Sequence, residues 1–359
     1  MPIQTAADSI SNSAGSPYGF KNRIINGAMV IDQRNAGASV TPTNVSVTLD
    51  RWVCLVSQAS KYTVQQNAGS VTPPVGFTNY LGVTSSSAYS ITSSDYFGIR
   101  HNIEGLNVGD LAWGTVNAQT VTLSFWVRSS LTGTFGGAIQ NSAQDRSYPF
   151  TYTISTANTW EQKTITIAGD KSGTWLVTNG IGIQINFGFG VGSTFSGTAG
   201  AWAASSIIFS ATGATSVVGT NGATFYITGV QVEKGSQATA FDYRPFGTEL
   251  QLCERYYEVS GRAIDSATWA YYSMAAVISQ STNYVCGKQF ATQKRTAPTV
   301  TIYSRNGTIN GISAFNTGSD VAGTWVINAV GAQGFHAVQG GTVTKGDGYE
   351  YGYTASAEL

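Results

Sequence analysis

His101 and His336 are the two imidazoles in a chain of 359 residues. Serine or cysteine nucleophiles need a base beside them. Neither histidine sits in a motif that would supply one: the chain has no G-x-S-x-G turn and no H-E-x-x-H helix. Glycoside hydrolysis needs two carboxyls roughly 5–10 Å apart. Glu104, Asp110, Asp145 and Asp170 are candidates, but they are scattered over predicted loops as solvated acids, with His101 and Glu104 as a surface pair. The expected chemistry is therefore non-covalent contact, and no enzyme activity is assigned.

Contact with a sugar needs an aromatic platform for the C–H face of the ring and a few amides or carboxylates for its hydroxyls. Trp113, Trp126, Trp160, Trp175 and Trp202 are spread through the middle of the chain. Trp126 stands out. Val121, Leu123, Phe125 and Val127 share one face of an alternating strand, and Trp126 points the other way with Thr122, Ser124 and Arg128. Asp110 and Asn117 flank Trp113. The candidate ligand-binding set is Trp113, Trp126, Trp202, Asp110, Asn117 and Arg128, with Asn141 as a further polar partner. For each tryptophan the competing role is packing in a core or a subunit interface. Asp50, Glu233 and Asp242 lie near predicted domain ends and could hold a structural calcium. They lack D-x-D spacing, so no metal site and no cofactor is assigned. Phe187-Gly-Phe-Gly-Val-Gly192 lacks the Lys-Ser/Thr and the helix of a phosphate loop; its glycines read as relief of crowding on a strand face.

Composition narrows the classes further. Charged residues make up 11% of the chain, against about 25% in an average soluble protein. The net charge is zero, so the basic field that nucleic-acid binding requires is missing. No apolar run is long enough for a membrane span. The opening MPIQTAADSISNSAG has no basic or apolar signal region, which points to synthesis in a cytoplasm. Few charges are a solubility liability that residence in a large assembly would relieve. Cys54, Cys253 and Cys286 are too few and too far apart for a disulfide framework and read as buried thiols.

The elements that must position these residues are strands. Ile181, Ile183, Ile185, Phe187 and Phe189 alternate with Gly182, Gln184, Asn186 and Gly188, the mark of a half-buried antiparallel strand with an uncharged polar face. Thr164–Ile167 alternates as well. Phe225 and Ile227 have the opposite parity to Val230 and Val232, which predicts a β-bulge at Gly229. The fold class is all-β: an N-terminal extended arm over 1–46, an antiparallel jelly-roll or β-sandwich over 47–247, a short connector helix over 248–257 and a C-terminal β-sandwich over 258–359. Asn26-Gly27 predicts a hairpin within the arm. Thr248-Glu-Leu-Gln251 has the form of a capping box. The stripe Tyr349, Tyr351 and Tyr353 belongs to a paired last strand. It faces either that domain's own core or a trimer interface, or else a receptor.

Two stretches resemble a family. Lys21-Asn-Arg-Ile-Ile-Asn-Gly-Ala-Met-Val-Ile-Asp-Gln-Arg34, with Leu49-Asp-Arg-Trp52, resembles the opening of tailed-bacteriophage structural proteins of the fibre type. Phe225 to Pro245, with Leu250 to Tyr257, resembles the end of the same module. Leu123-Ser-Phe-Trp-Val-Arg128 and Thr159-Trp-Glu-Gln-Lys163 are similar to inner strands of jelly-roll carbohydrate-binding modules. This resemblance implies a virion protein, most simply a homotrimeric tail fibre or receptor-binding protein attaching to host surface polysaccharide. Residues 1–46 would attach it to the tail or other virion proteins, and deleting residues 1–30 would then leave folding intact. A head fibre or capsid decoration protein without receptor duty, and a capsule depolymerase, are the alternatives.

Overall fold

The computed structural model describes residues 21–204, 207–260, 273–279, 284–344 and 347–359. It forms two compact units, one ending at Phe246 and one beginning at Gly247. Strands are numbered along the chain. In the first unit the larger sheet has seven strands in the order β1 (Ser46–Leu49), β2 (Trp52–Val56), β5 (Tyr96–Glu104), β10 (Ile181–Val191), β7 (Gly133–Gln140), β8 (Arg146–Ile154) and β12 (Ala203–Ala204). The smaller has five, in the order β3 (Tyr62–Gln66), β4 (Leu81–Ser85), β14 (Thr224–Lys234), β6 (Val121–Ser129) and β9 (Glu161–Ile167). All of these pairings are antiparallel. The chain crosses repeatedly between the sheets, and their apolar faces enclose one core. Phe125 of the small sheet meets Phe187 of the large one edge to face, with ring centroids 5.1 Å apart.

Period-two patterning explains this arrangement. Val121, Leu123, Phe125 and Val127 are all fully buried. So are Phe225, Ile227 and Val230. The parity slip between Ile227 and Val230 is a bulge: the β14–β6 register breaks between Thr228 and Gln231, and Gly229 takes a left-handed φ of 61°. In β10 the inner residues Ile183, Ile185, Phe187 and Phe189 are buried as expected. The outer residues Gln184 and Asn186 are buried too, so this strand is not half-exposed. A third layer lies on the sheet, built around a short parallel pair, β11 (Ser196–Gly197) with β13 (Ser210–Ala211). Glycines let it approach: a Cβ on Gly136 or Gly188 would stand 2.6 or 2.7 Å from Ser210 Oγ.

The segment 21–46 is not a free arm. Ile24, Met29 and Ile31 are buried, and the first two belong to the sandwich core. The Arg23 amide donates to the Val232 carbonyl at 3.0 Å, and the Val230 amide to the Gly27 carbonyl at 2.9 Å. Asn26 and Met29 both adopt left-handed φ values, 58° and 59°, which fold the chain into a compact turn rather than a two-stranded hairpin. The Asn26 side chain is fully buried. Its Nδ2 donates to Ile31 O at 2.8 Å and Asp50 O at 3.0 Å, while its Oδ1 accepts from the Ile31 amide at 3.0 Å. A Cβ at Gly27 would stand 2.2 Å from Val230 O, so only glycine fits. Residues 1–20 lie outside the described residues.

The expected helix is present as α1 (Phe246–Glu254) and begins two residues before Thr248, directly after Pro245. Thr248 therefore lies inside the helix and is not its cap. α1 belongs to the second unit, where Cys253 is buried and Lys294 Nζ donates to Glu254 O at 2.6 Å. In that unit the long strand β22 (Gly348–Ser356) pairs with β15 (Tyr257–Ser260), β16 (Ser273–Ser279), β18 (Thr299–Tyr303) and β19 (Ser313–Ala314). β17 (Tyr284–Gln289), β21 (Gly334–Gly340) and β20 (Trp325–Gly331) continue from β16. Tyr349, Tyr351 and Tyr353 pack in this unit's own core with Phe290, Trp325 and Phe335. Cys54 and Cys253 are buried and Cys286 is half-buried, and none of the three forms a disulfide among the described residues. Among the described residues no helix is long and apolar enough to cross a membrane.

Removing residues 21–31 is expected to abolish cooperative unfolding of the sandwich, contrary to the tolerance a free arm would show. Asn26→Ala should cost about 3 kcal/mol, because it strands buried backbone groups. Chemical denaturation of the full chain, followed by tryptophan fluorescence, measures both.

Candidate functional site

The tryptophans separate into engaged and available rings. Trp113, Trp175 and Trp202 form a mutually perpendicular trio. Their centroids are 4.7 Å (Trp113–Trp175), 5.4 Å (Trp113–Trp202) and 5.4 Å (Trp175–Trp202) apart, at interplanar angles of 82°, 79° and 80°. Every indole N–H in the trio is used: Trp113 Nε1 donates to Gln119 O, Trp202 Nε1 to Ala168 O, and Trp175 Nε1 to Ser172 O and the Asp170 carboxylate. Asp170 is itself clamped by Arg146 through two bonds of 2.7 Å. The trio packs edge to face, with Trp113 and Trp175 buried and Trp202 half-buried. Asp110 is exposed and pairs with Arg23 at 2.8 Å; Asn117 is exposed in the following turn. Neither residue is joined with Trp113 in a pocket. Asn141 is buried, its side chain bonding to Asp145, to the Arg146 amide and to Thr174 O. It shapes a turn.

Trp126 differs. It lies on the outer face of the small sheet, half-buried, with Gln162 of β9 and Thr228 of β14 as cross-strand neighbours. Among the described residues its ring meets no other aromatic side chain and its N–H makes no hydrogen bond. Gln162 and Thr164 on the adjoining strand are exposed. Two positions along β6, Arg128 donates from Nε to Asn158 O at 2.9 Å and lays its guanidinium 5.5 Å over the Tyr226 ring. Trp160 completes the neighbourhood: it packs 5.6 Å from Tyr80, and its Nε1 donates to Thr72 O. Partly exposed aromatic rings thus stand beside exposed amide and hydroxyl side chains of β9, groups able to stack and hydrogen-bond with an uncharged polyhydroxylated chain. Of the sequence-derived set, the fold brings together Trp126 and Arg128.

A second polar constellation, missed from the sequence, lies on the outer face of the large sheet. Arg100 of β5 is 7% exposed. Its Nε donates to Asn186 Oδ1 at 2.7 Å and its Nη2 to Gln140 Oε1 at 3.3 Å. Asn186 Nδ2 donates to the same Gln140 oxygen at 2.9 Å, and Gln140 Nε2 to Ser147 Oγ at 3.2 Å. The guanidinium carbon sits 5.2 Å over the Phe209 ring, which packs with Tyr96 and Phe195. Burial pulls the Arg100 guanidinium down to about 10.

The acids expected in solvated loops are placed otherwise. Glu104 ends β5 and is buried, and Asp170 is buried in its ion pair. His101 and Glu104 are three residues apart on one strand, so they point to opposite faces and cannot pair. His101 is buried among core side chains, edge-on to Trp52 at 5.2 Å, with Nε2 3.0 Å from Ile25 O. Burial, with Arg51 and Arg244 nearby, pushes its pKa well below the usual imidazole value. The calcium candidates are also apart. Asp50 accepts from the amide and side chain of Gln33, Glu233 from Thr239 and Gln231, and Asp242 from the amides of Lys21 and Asn22. Among the described residues no cluster of three His, Cys, Asp or Glu side chains is arranged to hold a metal ion.

No protein-family model and no curated protein matches the chain. Solved structures with similarity include the enzymatically active domain of tailspike protein 4 from bacteriophage CBA120, 14% identical with a TM-score of 0.32 over 60% of this chain and 21% of that one. A family 11 carbohydrate-binding module from Clostridium thermocellum, in complex with a β-1,3-1,4-mixed-linked tetrasaccharide, is 12% identical with a TM-score of 0.29, covering 56% of this chain and 98% of the module. TmCBM61 in complex with β-1,4-galactotriose is 10% identical with a TM-score of 0.30, covering 60% and 99%. TM-scores this low assign neither activity nor ligand to the present chain.

The buried neutral His101 has a consequence for pH. Its folded pKa lies below its unfolded value, so the unfolded state takes up the proton first. Its contribution to stability is complete above about pH 6.5 and declines as pH falls below that, by up to about 1.4 kcal/mol per pH unit. Urea unfolding between pH 7.5 and 5 should show that decline, and it should flatten in His101→Gln.

Proposed function

We propose that the protein is a non-catalytic glycan-binding component of a tailed-phage virion, acting as a homotrimeric tail fibre that attaches to host surface polysaccharide. The single observation that carries the binding role is Trp126: a half-buried indole whose N–H has no partner among the described residues, beside Arg128 and the exposed Gln162 on the outer face of the small sheet. The fibre-type resemblance of residues 21–34 and 225–257 supports the virion setting. The first of those stretches meets the start of the second in the fold: Asn22 Oδ1 accepts from the Val232 amide at 3.1 Å, and Arg244 Nη1 donates to Ile24 O at 3.0 Å. Segment 21–46 is committed to the sandwich, so attachment to tail or other virion proteins is proposed for the residues before Lys21. Three copies per fibre make weak single sites sufficient, because linked sites bind with avidity.

Glycan-array screening of the full chain should identify a bound surface polysaccharide. Trp126→Ala should weaken that binding on the order of tenfold or more with an unchanged melting temperature. No bound glycan, or a variant that binds like the parent, overturns the role. Mass measurement at micromolar concentration should give a trimer; a stable monomer removes it. Incubation with host capsule should release no reducing ends.

A further inference from the structure

The large-sheet constellation contains a cation without a counter-ion. Among the described residues Arg100 makes no ion pair, although it is more than nine-tenths buried. A buried charge is costly unless an opposite charge answers it. Here every side-chain acceptor is a neutral amide: Asn186, Gln140 and Gln144. Gln144 is the one that faces solvent in part. With its amide oxygen turned to the guanidinium, it accepts from both Nη1 and Nη2 at 3.2 Å. One amide oxygen thus serves both prongs of the fork; a carboxylate would bring two oxygens, one for each N–H, and bind more strongly. Gln144 stands at the tip of the β7–β8 turn with φ 57°, a left-handed backbone that non-glycine residues rarely adopt. The Asn141 side chain holds that turn by accepting from the amides of Asp145 and Arg146. The turn is thus built to hold a neutral side chain over a buried positive fork.

We infer that Arg100 and Gln144 form a self-capped site for the carboxylate of an acidic saccharide, which displaces the Gln144 amide and takes its two hydrogen bonds. Of the three amides on the fork, Gln144 is the one at a turn tip, so its outward swing is the proposed way in. Gln184 lies 3.1 Å from the Gln144 amide, accepting from its Nε2 in one orientation and, with its own amide turned, donating to its oxygen in the other, so it is freed when Gln144 swings away. Among the described residues no carboxylate pairs with the fork, which leaves its charge to a ligand's carboxylate. It lies on the opposite sheet from Trp126 and does not depend on the proposal made for that residue.

The test is titration calorimetry of the full chain with trigalacturonate, sialyllactose and neutral galactotriose, on the parent and three variants. The parent should bind at least one of the two acidic ligands, which identifies uronate or sialate as the carrier, and bind it better than galactotriose. Gln144→Glu supplies the carboxylate from within. It should raise the melting temperature and weaken acidic-ligand binding more than about tenfold. Gln144→Ala uncaps the fork and should bind as tightly as the parent or tighter. Trp126→Ala should leave the acidic titration unchanged, which keeps this site separable from the other. Failure of both acidic ligands to bind, or Gln144→Glu binding them like the parent, overturns the inference.

Discussion

One buried side chain closes the sandwich. The Asn26 amide satisfies the backbone of Ile31 on two sides and the carbonyl of Asp50, all out of reach of water. Around it the same logic repeats: Asn22 binds the carbonyl of Val230 and the amide of Val232, and Trp52 Nε1 donates to the carbonyl of Asn26. An unpaired backbone group in this position would cost about 1–3 kcal/mol. Side chains that replace the missing ladder bonds therefore decide whether a non-strand segment can fill the end of a β core. Ile24 and Met29 supply the apolar part of that filling, and the asparagines make it tolerable.

The large sheet is covered on both faces, and this sets where contact chemistry can occur. Its inner face meets the small sheet; much of its outer face meets the layer around β11 and β13, admitted by glycines. Between that layer and the sheet lies a belt of amides around Arg100. The small sheet keeps part of its outer face open, and there Trp126 is available. Two polar environments thus arise from one sandwich: an open surface fit for stacking, and an enclosed belt whose charge is answered only by dipoles.

Strand identity, facing and the Gly229 bulge were legible from parity, because a period of two assigns every residue to a face. Trp126 was legible for the same reason. Burial of the second face was not, since Gln184 and Asn186 look alike whether water or another layer covers them. Arg100 could be placed opposite Ile99 and His101 by parity, but its partners come from β7 and β10, and cross-strand register is not written in one strand. The turn at Asn26-Gly27 misled because the same dipeptide serves a hairpin and a buried reversal; the difference lies in Val230, two hundred residues away. Trp113, Trp175 and Trp202 each look like a separate platform in the sequence, and their mutual edge-to-face packing is visible only in the fold. The Thr248 capping pattern was displaced because the helix had already begun after Pro245.

The Lys21 and Asn22 amides both donate to Asp242 Oδ2, at 2.7 and 3.1 Å, so the stretch after β14 is fastened to the stretch that fills the end of the core. One carboxylate thereby couples two stretches more than two hundred residues apart, and losing it would loosen both at once.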